Sequence, residues 1–253
     1  MRKPIIIGNW KMNLTLEDAR RLIVELRQGL QGTDERKIDI VVCPTFIHLQ
    51  GVNFQLPHNI KLGAQDVFWK DKGAYTGEIS SIMLKDVGCQ YIIIGHSERR
   101  QNLFETDEMI NQKGQACLKQ GLISILCVGE TKEEREKNLT DARIKEQIIK
   151  DLEGIRTQDI EKVIIAYEPV WAIGTGKTPK GSDANEVAKL IREVISEKYS
   201  KDQVDKVRIL YGGSVDSKNI KEFVDQPQID GALVGEASLN ANKFIKIVEQ
   251  LIK

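Results

Sequence analysis

A chain of 253 residues lies at the upper end of what a single hydrophobic core organises, leaving room for one large domain or two small ones. With 41% hydrophobic and 29% charged residues, and 37 basic side chains set against 37 acidic ones, the composition is that of an ordinary globular protein and excludes a disordered or fibrous chain. A formal charge of zero also argues against broad electrostatic capture of nucleic acid or an anionic membrane, so any attraction for an anion must be local.

The chain begins with Arg2 and Lys3 ahead of only three isoleucines, too short and too soon polar for a secretory signal. No later run approaches the roughly 20 apolar residues of a membrane span, so a soluble, cytoplasmic protein is expected. Ile5-Ile6-Ile7 is the first of eight short apolar runs. The others are Ile38 to Val42, Ile60 to Gly63, Tyr91 to Ile94, Leu122 to Val128, Val163 to Tyr167, Val207 to Tyr211 and Ala232 to Val234. Most are continuous and rich in β-branched residues, the mark of parallel strands covered on both faces.

Between these runs lie amphipathic stretches with helix-start signals. Thr15 precedes Leu16-Glu17-Asp18, Thr106 precedes Asp107-Glu108, and Ser182-Asp183 precedes Val187, Leu190 and Ile191. Leu22, Ile23, Leu26 and Leu30 share one helix face. The charged run from Thr131 to Lys137 mixes signs at helical spacing and reads as a solvated helix face. Cys43, Cys89, Cys117 and Cys127 stand far apart with no zinc spacing or CxxC pair, and read as reduced, mostly buried thiols.

Repeated β-then-α units predict a parallel sheet with right-handed crossovers. Eight of them over residues 1–253 match a single-domain α/β fold, the closed (β/α)8 barrel. An open doubly wound sheet is the alternative on pattern alone. The barrel predicts that chemistry sits at the C-terminal ends of the strands.

The strand ends carry the unusual residues. The first run ends in Gly8-Asn9-Trp10-Lys11, although a lone lysine there is ordinarily solvated. The fourth ends in Gly95-His96-Ser97-Glu98-Arg99-Arg100, where a histidine is more often structural than catalytic and Ser97 can cap the next helix. At a helix N-terminus the dipole disfavours imidazolium, and a neutral His96 could donate a hydrogen bond to a carbonyl. The sixth ends in Tyr167-Glu168-Pro169, a carboxylate directly after buried positions. Glu168 reads either as an ion-paired structural residue or as a base whose pKa burial beside Trp171 and Ile173 has raised. Gly174 and Gly176 give the following loop the freedom expected of a lid. The seventh and eighth runs end in Tyr211-Gly212-Gly213-Ser214 and Gly235-Glu236-Ala237-Ser238, where barrels of this kind cradle phosphate.

Gly176-Lys177-Thr178 imitates the end of a Walker A loop, but the first glycine that motif needs falls at Trp171. Gly174-Thr175-Gly176 is followed three residues on by Pro179 and fails the dinucleotide fingerprint. No cofactor motif is present in the sequence.

The segments Gly8 to Asn13, Gly95 to Arg100, Cys127 to Glu130, Tyr167 to Lys177 and Tyr211 to Val215, in order and over almost the whole chain, closely resemble the triosephosphate isomerase family. The resemblance implies interconversion of dihydroxyacetone phosphate and D-glyceraldehyde 3-phosphate, in glycolysis and gluconeogenesis, without a redox or metal cofactor. It implies that Glu168 moves the proton through an enediolate, that His96 polarises the carbonyl, and that Lys11 and Asn9 stand beside the developing oxyanion. It assigns the phosphate to backbone N–H groups at Gly174, Ser214, Gly235 and Glu236, under a lid from Pro169 to Lys177. It sets Ile173 and Leu233 against the Glu168 carboxylate and Glu98 near Lys11. It also implies a homodimer in which the loop from Phe68 to Glu78 reaches the neighbouring site, with Thr76 nearest the partner's Asn9 and Lys11.

Three departures from the family pattern stand out. Leu103-Phe104-Glu105 replaces the usual Phe-Gly-Glu, a change expected to be confined to helix packing. Gly235-Glu236 stands where Gly-Gly is frequent, and Pro179 stands where alanine is common, restricting Thr178. Other phosphate-binding barrel isomerases share the last two glycine clusters but lack the set Asn9, Lys11, His96 and Glu168. A barrel retained as an interaction protein has no need of that set.

Overall fold

In a computed structural model, residues 2–173 and 178–252 are described. Eight parallel strands follow one another in chain order: β1 Ile5–Asn9, β2 Asp39–Cys43, β3 Lys61–Ala64, β4 Tyr91–Ile94, β5 Ile123–Val128, β6 Val163–Tyr167, β7 Arg208–Tyr211 and β8 Gly231–Val234. The sheet closes because β1 pairs with both β2 and β8, Ile5 lying opposite Asp39 on one side and Gly231 on the other. Closure removes both sheet edges and with them the open doubly wound alternative.

The continuous apolar runs follow from burial on both faces. Ile5, Ile7, Val41, Cys43, Ile93, Ile125, Cys127, Ile164, Ala166 and Leu210 belong to the cluster that fills the barrel. The alternating Ile6, Ile40, Val42, Ile92, Ile94, Leu126 and Ile165 join the larger cluster beneath the helices. Each fully buried isoleucine contributes about 2 to 3 kcal/mol of transfer free energy, which is why neither strand face tolerates polarity over most of its length. All four cysteines are buried and free.

The helices are α1 Leu16–Gly29, α2 Leu49–Asn53, α3 Ser81–Asp86, α4 Ser97–Asn102, α5 Asp107–Lys119, α6 Lys132–Glu136, α7 Thr140–Asp151, α8 Gly181–Ser196, α9 Lys201–Val204, α10 Ile220–Val224 and α11 Ala241–Glu249. Thr15 and Thr106 cap α1 and α5, as the sequence predicts, and Thr15 forms a reciprocal capping box with Asp18.

Two starts differ from the sequence reading. The cap of α8 is Lys180 rather than Ser182, because the Gly181 N–H finds a distant acceptor in Glu222 Oε1 at 2.9 Å. The cap of α4 is His96, not Ser97: its Nδ1 accepts the Glu98 N–H at 3.2 Å. The charged run after β5 does form α6, yet Arg135 leaves the solvated face. It reaches Glu130 Oε1 at 3.2 Å and lies 4.6 Å from the Trp171 ring centroid.

Candidate active site

The C-terminal ends of β1, β4, β6 and β8 bring the predicted residues together. At the end of β1, the Asn9 side-chain oxygen accepts the Lys11 N–H at 3.0 Å, and Lys11 itself sits in the left-handed region at φ 53°. Gln65, just past β3, fixes that turn by donating to the carbonyls of Lys11 and Cys43, each at 2.9 Å. The ammonium of Lys11 meets Glu98 Oε1 at 2.6 Å, in line with the expected partnership. Its other neighbour is Gly235, where an added Cβ would lie 3.8 Å from Nζ. The positive charge therefore reaches the loop after β8.

Glu168 follows β6 and is 1% exposed. Its Oε2 accepts the Ser97 N–H at 2.8 Å, and its Oε1 lies 2.9 Å from His96 Nε2. Because His96 Nδ1 already accepts an amide N–H, that nitrogen is bare and the ring proton sits on Nε2, the nitrogen nearest the carboxylate. Burial pushes the Glu168 pKa up, but the His96 imidazole and the Ser97 N–H outweigh it and hold the carboxyl below its ordinary value. This corrects the expectation that burial beside Trp171 and Ile173 raises it. Burial likewise pushes the His96 pKa down, and the Glu168 carboxylate lifts it above its ordinary value. The two groups stabilise each other in the geometry seen here.

The backbone around Glu168 is clamped by glycines. An added Cβ on Gly129 would stand 1.7 Å from the Glu168 carbonyl oxygen, and one on Gly212 would stand 2.9 Å from Glu168 Cγ. The Glu168 N–H donates to Val128 O at 2.8 Å, and the Gly212 N–H donates to Tyr167 O at 2.7 Å. The loop after β5 also holds the segment that follows. Glu130, fully buried, accepts from Trp171 Nε1 at 2.8 Å and from Tyr167 OH at 3.1 Å, and its carbonyl accepts the Val170 N–H at 3.1 Å.

In the loop after β7, Ser214 donates its hydroxyl to Ala172 O at 3.3 Å, and its carbonyl accepts from Asn219 Nδ2 at 3.1 Å. Gly235 caps the 3-10 turn Glu236–Leu239, so Glu236 supplies one of the first amides, which have no partner within the turn. Gly174 and the rest of 174–177 lie outside the described residues. Ile173 is half-buried and Leu233 is buried at the end of β8. Thr76 is exposed on the 68–78 loop, whose root is fixed by the Phe68 N–H to Ile79 O at 2.8 Å and by the Phe68 ring against Trp69 and Tyr75.

The paired arginines after His96 serve as braces. Arg100 binds the carbonyls of Gly95 and Cys127 at 2.7 and 3.1 Å, together with Asp107 and Asp151, tying the ends of β4 and β5 to α5 and α7. Arg99 joins a buried cluster with Asp66, Glu105 and Lys113. Burial pushes the Asp66 carboxyl up to about 6 despite those cations. Phe104 corrects the expectation of a packing change within the helix. It lies just past α4 at φ 57° and is largely exposed. Gln65, Ser97, Gly129, Glu130 and Gly212 were not singled out for these roles by sequence. The signal available was the Gly129-Glu130 pair directly after β5, in the position where other strands carry their site residues.

The profile of the family described as triosephosphate isomerase matches residues 4–251. Triosephosphate isomerase of Dictyoglomus turgidum is 55% identical over 249 residues, covering 98% of this chain and 99% of that protein. Those of Dictyoglomus thermophilum and a Thermoanaerobacter species are each 52% identical, covering 98% of this chain and 100% and 99% of the respective relatives.

Proposed function

The chain belongs to the triosephosphate isomerase family, and from that premise we infer how its own residues interconvert dihydroxyacetone phosphate and D-glyceraldehyde 3-phosphate. The reaction is a step of glycolysis and gluconeogenesis. Glu168 takes the proton from the carbon that carries the hydroxyl, the electron pair moves into an enediolate, His96 passes the hydroxyl proton from the first oxygen to the second, and the Glu168 carboxyl returns its proton to the adjacent carbon. His96 Nε2–H donates to the oxygen where charge develops, with the Lys11 ammonium and the Asn9 side chain beside it.

One observation carries these roles: Glu168, His96 and Lys11 meet at three strand ends, with His96 Nε2 already 2.9 Å from the carboxylate. That contact also sets an order of events. The N–H that must polarise substrate is occupied by the base, so the carboxylate has to turn away from His96 and Ser97 to reach a carbon. Turning removes the two influences that lower its pKa and leaves the burial that raises it. The base is thus strengthened only when substrate takes its place on His96. The imidazole loses the carboxylate at the same moment, which favours its neutral form.

The phosphate falls to the loops after β7 and β8, with Ser214, Gly235 and Glu236 supplying N–H groups and Gly174 completing the set. Closure of the 169–177 segment over it, shielding the enediolate from phosphate loss in water, rests on the resemblance alone. A homodimer belongs to the same reading. Among the described residues, nine of thirteen exposed large apolar side chains, including Met12, Ile47, Tyr75, Ile82 and Met83, lie on segments that follow β1 to β3. The exposed Thr76 loop belongs to that sector and would reach the partner's site. A cytoplasmic setting fits four buried, unpaired thiols.

The purified chain is expected to convert glyceraldehyde 3-phosphate to dihydroxyacetone phosphate without added metal or nucleotide, followed by coupled NADH oxidation. Absence of conversion by folded protein overturns the reading. Glu168→Asp tests the base: kcat should fall by about two to three orders of magnitude while phosphate inhibition constants hold, because a carboxylate about 1 Å short misses the proton-transfer geometry. Normal turnover removes Glu168 from that role.

A further inference from the structure

Two helices end on a non-glycine residue in the left-handed region: α6 on Asn138, a residue type that tolerates it, and α4 on an aromatic. Leu103 is the C-cap, and the next residue, Phe104, adopts the left-handed conformation at φ 57°. This is the position where glycine ordinarily ends a helix, because any other side chain is strained there. Phe104 bears that strain and recovers nothing for it within the chain, since the residue is 80% exposed and Leu103 beside it 56%.

Phe104 is not on a loop free to fold back. The Leu103 and Glu105 N–H groups both donate to Arg99 O, at 3.0 and 3.3 Å. Glu105 is buried, bonded to Arg99 Nε at 2.6 Å and to Lys113, and Lys113 holds Asp66 at 2.6 Å. A buried ionic cluster therefore fixes the residues on either side of the ring and presents it to solvent. Through Asp66 the same cluster ties Phe104 to the root of the 68–78 loop.

A strained, exposed and rigidly held aromatic costs the single chain twice, so its compensation lies outside that chain. We propose that Phe104 is an anchor of the interface between two copies of this chain, its ring buried only in the pair. The inference rests on the homodimer reading above and extends it to a residue that reading did not include. Three observations favour a second copy as the occupant. Phe104 continues the apolar sector that contains Met12, 93% exposed, and Ile47, 84% exposed. The chain carries no net charge, so identical copies approach without net repulsion. The loop held through Asp66 is the one read as reaching the neighbouring site. In a two-fold pair each Phe104 contributes once from either side, so one substitution removes two anchors.

The test uses full-length chain and the variants Phe104→Gly and Phe104→Ala. Phe104→Gly relieves the backbone strain, so misfolding does not confound it. Sedimentation velocity over a dilution series and specific activity after dilution are read together. Both variants should raise the dimer dissociation constant by about tenfold or more, as loss of a buried aromatic anchor does. Their kcat should match that of the unmodified chain at concentrations where all are paired. If the unmodified chain is a dimer and both variants dissociate at its concentration, Phe104 is not an anchor and the homodimer stands. If the unmodified chain is monomeric throughout, the homodimer reading fails and this inference fails with it.

Discussion

Gly129→Ala isolates how far the site depends on backbone closeness rather than on side-chain chemistry. The new Cβ would stand 1.7 Å from the Glu168 carbonyl oxygen, where ordinary contact begins near 3.4 Å. The two segments must therefore separate by about 1.7 Å, more than the roughly 1 Å misplacement that costs about 100-fold in rate. Separation also pulls on the Glu168 N–H bond to Val128 O at 2.8 Å, so a stability loss of about 1 to 3 kcal/mol accompanies it. The expected result is a soluble variant with kcat/KM for glyceraldehyde 3-phosphate down at least 100-fold and a melting temperature lowered by a few degrees. Gly212→Ala, with its Cβ 2.9 Å from the flexible Glu168 Cγ, should lose activity less steeply. Gly114→Ala in α5, whose Cβ would make only a 3.4 Å contact, should leave activity unchanged. A Gly129→Ala enzyme with full kcat refutes the view that the loop after β5 fixes the base.

His96→Gln tests the coupling of the acid and base groups. With the imidazole gone, burial is left to dominate and the Glu168 pKa rises, so the acid limb of the residual kcat/KM profile should move to higher pH. A carboxyl held low in the fold adds stability that is present above its unfolded pKa and is lost as pH falls through its folded one. The variant lacks part of that contribution and should unfold at a higher pH on acid titration. An unmoved acid limb contradicts the coupling. Arg100→Met leaves Asp107 and the buried Asp151 without their cation, which should cost about 3 to 5 kcal/mol. Burial raises Asp151 to about 7, so its favourable contribution is lost as pH rises through that value; the variant's deficit should be deepest near pH 8 and shallower near pH 5, as read by urea denaturation. Gln65→Leu frees the carbonyls of Lys11 and Cys43 and should raise KM more than it lowers kcat, because it loosens the turn that aims the Lys11 ammonium.

The barrel was legible because its signal is one-dimensional. A strand buried on both faces has no polar position, so Ile5-Ile6-Ile7 and its seven counterparts stand out before any contact is known. Asn9, Lys11, His96 and Glu168 were visible as polar residues at the ends of such runs, but Lys11, His96 and Glu168 each have an ordinary structural reading alone, and the roles came from the resemblance of the segments that carry them. The supporting residues were not visible, because their work is defined across the barrel. Glu222 caps α8 from 41 residues away, so the local Ser182 signal misled. Arg135 has the spacing of a solvated face and instead lies over Trp171, a contact that exists only because the loops after β5 and β6 converge.

The pKa of Glu168 shows where reading by residue type stops. Burial alone predicts a raised value, and burial is the largest single influence on it; the net shift is downward because two N–H donors, from His96 and Ser97, arrive from another strand end. A base stabilised in this way at rest is weaker than the same carboxylate stripped of its donors. On the proposed roles, the donors act as a holding site whose release depends on substrate taking over His96 Nε2. In the proposed mechanism the base gains strength only when substrate takes its place on His96, and the same exchange returns His96 toward the neutral form that its Nδ1 bond to the Glu98 N–H favours.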